Sequence, residues 1–221
     1  MATRIFNGKQ YRLDKHGFLM DPGSWDEDFA EGMAPVARIQ GPLTEAHWRI
    51  IRFVRLEYDN MNDCPSVYVA CRRNALGLGD LQKLFPAGYL RGVCRLAGFT
   101  YREAMFQHHW LEENLREHEY TYENTSYHVD ANGFLVNPSE WDERFALLKA
   151  RELRMPDFLT RAHWEIIRFL RSWYQQHRVV PTVYETCEYN KIHLDELEHL
   201  FPTGYHRGLV KISGLNVRCC Q

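Results

Sequence analysis

Apolar residues recur at helical spacing in two long stretches of the chain. Trp48, Ile51, Val54 or Leu56, and Tyr58 form one stripe; Trp164, Ile167, Leu170 and Tyr174 form the other. Such a stripe buries one side of a helix and leaves the other to water. Thr44 and Thr160 stand ahead of them as N-caps. The flanking segments are short. Tyr11-Arg12-Leu13 and Phe18-Leu19-Met20 flank Asp14-Lys15-His16-Gly17, which predicts a β-hairpin with Gly17 at a positive-φ turn position. Tyr127 to Val136 repeats it around Gly133. Ser24-Trp25-Asp26-Glu27 has capping-box spacing and predicts a first helix. Pro65 and Pro181 mark the next helix starts, and a short helix from Asp80 or Asp195 ends at a Leu-Phe-Pro turn. A last helix runs from about Gly88 to Ala97, or Gly204 to Ser213, and stops at Gly98 or Gly214.

The doubling is general. Thr44-x-Ala46-His47-Trp48-x-Ile50-Ile51-Arg52-Phe53 returns as Thr160-x-Ala162-His163-Trp164-x-Ile166-Ile167-Arg168-Phe169. Leu84-Phe85-Pro86-x-Gly88-Tyr89-x-Arg91-Gly92 returns as Leu200-Phe201-Pro202-x-Gly204-Tyr205-x-Arg207-Gly208. The offset stays at 116 residues without a gap, as from His47 to His163, and roughly four in ten aligned positions are identical. The reading is a tandem duplication of one small domain: residues 1–105, a charged helical connector over 106–122 with helical character to Ser126, and residues 123–221. Each copy is expected to be mainly α with one small β-hairpin.

Composition changes this picture little. The chain has 221 residues, 45% of them apolar, and a formal net charge of -2. That balance argues against general polyanion binding. No apolar run approaches a membrane span and the N-terminus lacks a signal-peptide core, so a cytoplasmic protein is expected. There, six cysteines are more often thiols in use than structural bridges. No C-x-x-C occurs, so no zinc site is predicted, and nothing implies a cofactor.

Cysteine is the remaining chemistry. Cys219 and Cys220 lie at the end of the sequence, on a segment expected to be mobile. Read from the residues alone they are exposed tail thiols, with Arg207, Lys211 and Arg218 as nearby cations that favour the thiolate. Cys219 is a candidate resolving thiol beside Cys220, and Cys94 in the first copy is a second candidate or a small core residue. Cys71 and Cys187 occupy equivalent apolar positions and read as core. His47 and His163 read as capping or core-edge histidines. His108, His109 and Glu112 read as a solvated connector face rather than a metal patch. Two other readings stay open: a regulator using a helix-turn-helix-like surface around Leu-Phe-Pro on DNA or protein, and a thiol redox switch pairing Cys94 or Cys219 with Cys220.

The Asp-x-x-Gly-Phe-Leu hairpin, the Trp-Asp-Glu helix start, the His-Trp-x-x-x-Arg-Phe helix and the Leu-Phe-Pro-x-Gly turn ahead of a cysteine tail together resemble the DsrC/TusE family. The resemblance covers both copies. It implies the DsrC-like α+β fold, and a sulfur carrier that takes persulfide sulfur onto a penultimate cysteine, here Cys220. It also implies partners: relay proteins of the TusBCD or DsrEFH type, or a sulfite-reductase-type complex, serving tRNA thiolation or sulfur-compound redox metabolism. Direct nucleic-acid binding is not expected from the near-neutral charge, and only the helix-turn-helix reading leaves it open. The family's second cysteine position falls on Val210 in copy two and on Cys94 in copy one. In ungapped alignment the carrier position falls on Gln221 and Met105, so the second tail is shorter by one. Cys219 is an addition to the family pattern.

Overall fold

The computed structural model describes residues 2–61, 64–100, 104, 118–122, 125–130, 132–155 and 159–216. The chain divides into two units, Met1–His108 and His109–Gln221. In the first, β1 (Ala2–Phe6) pairs antiparallel with β2 (Lys9–Leu13). Helices α1 (Glu27–Met33), α2 (Glu45–Met61), α3 (Val67–Arg73) and α4 (Leu78–Leu84) follow. A π-helical segment, Tyr89–Cys94, comes next. The second unit repeats the order: β3 (His118–Tyr122), β4 (Thr125–Val129), α5 (Glu143–Glu152), α6 (Arg161–His177), α7 (Val183–Asn190), α8 (Leu194–Leu200) and a π-helical segment, Tyr205–Val210.

The hairpin sits one strand earlier than expected. Asn7 and Gly8 both have positive φ, 47° and 78°, as a two-residue I′ turn requires, and Phe6 pairs with Lys9 across them. The predicted hairpin shrinks to one bridge, Leu13 to Leu19, because Pro22 has no N–H for a ladder and Pro22–Ser24 turns into a 3-10 helix. Gly17 and Gly133 do take positive φ, 77° and 74°. The Asp14 carboxylate accepts from the His16 and Phe18 amides at 2.8 and 2.9 Å and closes that turn. The connector reading needs the matching correction. Residues 118–122 form β3 and pair with 125–129, so the second unit takes them from the predicted helix. His-Glu-Tyr-Thr-Tyr is rich in strand formers, and a pairing partner nearby outweighs the charge pattern. The rest of the connector, 106–117, lies outside the described residues.

Ser24 does not cap the first helix. Asp26 does, accepting from the Phe29 amide at 3.0 Å, and Asp142 does the same for Phe145 at 2.8 Å. The same carboxylates take the hydroxyls of Tyr11 (2.6 Å) and Tyr127 (2.7 Å), which fastens each hairpin to its helix. Beneath them the cores close. Tyr127, Val129, Leu135 and Phe145 form one buried cluster with Trp141 against it. Phe29 and Phe145 are fully buried, each stabilising its unit by about 2–3 kcal/mol.

The long helices begin at the expected residues, and their histidines have a structural job. Nδ1 of His163 accepts the Thr160 amide at 3.1 Å, so the ring proton sits on Nε2 and is donated to the Leu200 carbonyl at 3.0 Å. His47 repeats this between Thr44 (3.0 Å) and Leu84 (2.9 Å). Each histidine therefore joins the start of the long helix to the Leu-Phe-Pro turn, and that turn aims the last segment of its unit.

Candidate functional site: the base of the cysteine arm

Leu200-Phe201-Pro202 ends α8, and Gly204 at φ 109° turns the chain into Tyr205–Val210. The last-helix expectation holds in position, but its first turns are π rather than α. The Tyr205 hydroxyl donates to the Pro181 carbonyl at 2.7 Å and meets Thr186 Oγ1 at 2.8 Å, which fixes this segment against the start of α7.

The segment ends at Gly214, φ 63°. The carbonyls it leaves behind are satisfied by two side chains from elsewhere in the fold. Trp141 Nε1 donates to the Ile212 carbonyl at 2.9 Å, and Arg171 Nη1 to the Ser213 carbonyl at 2.9 Å. The Arg171 guanidinium lies 3.9 Å over the Trp141 ring. A Cβ at Gly214 would come within 2.3 Å of Trp141 Cδ1, so only glycine fits beneath the indole. The first unit holds the same clamp. Trp25 donates to the Leu96 carbonyl at 2.7 Å and Arg55 to the Ala97 carbonyl at 2.6 Å, with their groups stacked at 3.9 Å.

Beyond Gly214, Leu215 and Asn216 are still buried, and Asn216 Nδ2 donates to Asp130 Oδ2 at 3.2 Å. Asp130 Oδ1 is occupied by the Asn132 and Phe134 amides at 2.9 and 3.0 Å. The arm is thus anchored through residue 216.

Lys211 stands differently from the expectation. It is half-buried, with its ammonium 4.8 Å over the Phe134 ring, so it belongs to the anchored base rather than to the tail. Burial first, and the neighbouring Lys149 second, push its pKa down to about 8 against the pull of Asp130 and Glu152. Lys149 is itself buried and pairs with Glu152 at 2.9 Å. In the first unit Arg95 takes the place of Lys211, 5.0 Å over Phe18, and donates to the His16 carbonyl at 2.9 Å.

A family model described as DsrC like protein matches residues 5–102 and again 121–220. The chain belongs to the DsrC-like protein family. The second matched region runs past the anchored base and includes Cys219 and Cys220. A sulfurtransferase TusE homolog of Haemophilus influenzae is 36% identical over 99 residues, covering 42% of this chain and 89% of that protein. The sulfurtransferase TusE of Pectobacterium atrosepticum is 34% identical over 100 residues, 42% of this chain and 90% of that one. The oxidised gamma subunit of dissimilatory sulfite reductase (DsrC) from Archaeoglobus fulgidus is 34% identical, covering 46% of this chain and 96% of that one, at a TM-score of 0.42. Each relative is the length of one DsrC-like unit, and this chain holds two.

The candidate cysteines fall in two places. Cys219 and Cys220 lie outside the described residues. Cys94 closes the π segment of the first DsrC-like unit, is buried, and has its Sγ 3.5 Å from that of Cys64. Cys64 lies on the loop ahead of α3 and is buried too. Their separation of thirty positions matches no spacing motif, but the repeat offered one signal. The equivalent positions in the second unit, Val180 and Val210, are both buried valines. Cys71 and Cys187 are core as expected, and burial pushes their pKa values up to about 11 and 12. Among the described residues no helix is long and apolar enough to cross a membrane, and no group of three or more metal-ligating side chains gathers.

Proposed function

We propose that this DsrC-like chain is a sulfur-relay carrier that accepts persulfide sulfur on Cys220 and passes it to the next thiol. The observation that carries the reading is the reach of the second family match, which extends to residue 220 beyond a base held in place by Trp141, Arg171 and Asp130. The first match ends at residue 102, and the aligned carrier position there is Met105. A fixed base with a reactive end matches what a relay needs, since the thiol must leave one partner's pocket and enter another's.

The chemistry is an exchange. The Cys220 thiolate attacks the outer sulfur of a donor persulfide; the donor leaves as its thiolate and Cys220 becomes a persulfide. An acceptor thiolate then attacks the outer sulfur of Cys220, forms a persulfide of its own, and releases the Cys220 thiolate. Cys219 stands next to it as a resolving thiol that can release the sulfur as hydrogen sulfide. The partners in this reading are relay proteins of the TusBCD or DsrEFH type or a sulfite-reductase-type complex, and the first unit is a structural companion.

The test is to load the protein from a cysteine-desulfurase persulfide donor and map residues 212–221 after alkylation. An extra sulfur on Cys220, lost in Cys220→Ser, is the expected result. Sulfur found only on the other cysteines would overturn the assignment.

A further inference from the structure

The Cys64–Cys94 contact has no counterpart in the second unit. The same two positions there are Val180 and Val210, both buried, so the fold asks only for two small apolar side chains at this junction. In the first unit both positions are thiols, and their sulfurs meet at 3.5 Å. The segments that carry them are already fastened to each other. Cys64 precedes Pro65, whose carbonyl accepts the Tyr89 hydroxyl at 2.8 Å, and Tyr89 opens the π segment that Cys94 closes. The second unit makes the same fastening between Pro181 and Tyr205 at 2.7 Å. The two sulfurs are therefore held together by structure that does not depend on them. Cys71 shows the contrast: its position is cysteine in both units and is buried core in both.

We infer that Cys64 and Cys94 are a two-electron thiol–disulfide pair within the first unit. The thiols are reduced in this structure, and closing the bond needs an approach of about 1.5 Å, toward the ~2.05 Å of a disulfide. Both sulfurs are covered, so the oxidant is the smallest peroxide, hydrogen peroxide. One thiolate attacks the peroxide oxygen, becomes a sulfenic acid and releases hydroxide. The second thiol attacks that sulfenic sulfur, the S–S bond forms, and water leaves. In total two thiols lose two electrons and two protons, and the peroxide is reduced to two waters. The product bolts the chain entering α3 to the π-helical segment that Cys94 closes. It also gives Cys94 a partner inside its own unit.

The experiment uses the full chain with Cys219→Ser and Cys220→Ser, so its outcome does not depend on the carrier reading. The variant retains four of the six cysteines. It is treated with hydrogen peroxide, quenched with N-ethylmaleimide and unfolded, and its remaining thiols are counted. The count is expected to fall from four to two, with the tryptic peptide 56–72 joined to 92–95 through Cys64. Four remaining thiols, or Cys94 joined to Cys71 or Cys187, would overturn the inference. So would a wild-type map in which Cys94 is joined to the 219–221 peptide instead. Cys64→Val with Cys94→Val copies the second unit's own solution. It is expected to fold and to lose the two-thiol drop.

Discussion

The Arg171 guanidinium lies 3.9 Å over the Trp141 ring, and the two side chains donate to consecutive carbonyls, Ser213 and Ile212, at the end of the arm-bearing helix. Helix ends normally leave such carbonyls to water or to a cap from the next residues. Here the caps come from a different helix and from the turn ahead of α5. Trp141→Phe keeps most of the apolar contact and removes the donor to Ile212. It is expected to cost about 1–2 kcal/mol in urea denaturation, and to speed hydrogen exchange of the amides around 212–216 more than elsewhere. Uniform loss of protection would mean that Trp141 supports the whole core rather than the arm base.

Gly214 and Gly8 separate two causes of glycine dependence. Both have positive φ, 63° and 78°, but a Cβ at Gly214 runs into Trp141, and one at Gly8 meets nothing within 4 Å. Gly8→Ala is expected to cost only the left-handed backbone penalty, about 1 kcal/mol. Gly214→Ala should cost at least twice as much, because the indole must also move. Equal costs for the two in denaturant midpoints would remove the Trp141 contact from the account.

The buried histidines set an acid limit. Burial, the largest cause, lowers the pKa of both His47 and His163 below the ordinary 6.5, and the hydrogen bonds to Leu84 and Leu200 only partly restore it. The unfolded chain then binds more protons than the folded one between the depressed pKa and 6.5. Their contribution to stability is full above pH 6.5 and is lost as pH falls through the folded values. His163→Gln, which leaves His47 in place, should weaken this acid slope. A slope unchanged in His163→Gln would assign it to other groups.

Lys211 acts at the alkaline end. Its folded pKa is about 8 against an ordinary 10.5, so between these values the unfolded chain holds a proton that the folded one has released. Stability should rise with pH across that window, by at most about 3 kcal/mol, and stay flat with respect to this group below pH 8. Lys211→Met removes the ammonium while keeping the stem over Phe134. It is expected to raise stability at pH 7 and to abolish the alkaline rise; an unchanged rise in the variant would exclude Lys211 as its source.

Local patterns alone determined much of this protein. The 116-residue repeat, the helical stripes from Trp48 and Trp164, the N-caps at Thr44 and Thr160, and the stops at Gly98 and Gly214 are legible because periodicity and capping act within a few residues. The place of the hairpin is ambiguous in the sequence because two turn signals lie close together. Asn7-Gly8 carries two positive-φ positions, whereas the turn at Gly17 is spent on an Asp14 side-chain closure and then broken by Pro22. Tertiary structure alone decided the rest. Trp141 and Ile212 are far apart in sequence, as are His163 and Leu200, and no spacing rule links them. Lys211 looked like a cation for the tail, and packing folded it over Phe134 instead. Cys64 and Cys94 are single cysteines in the sequence. They become a pair only because Tyr89 and Pro65 hold their segments side by side, a contact that closes across a loop and leaves no periodic trace.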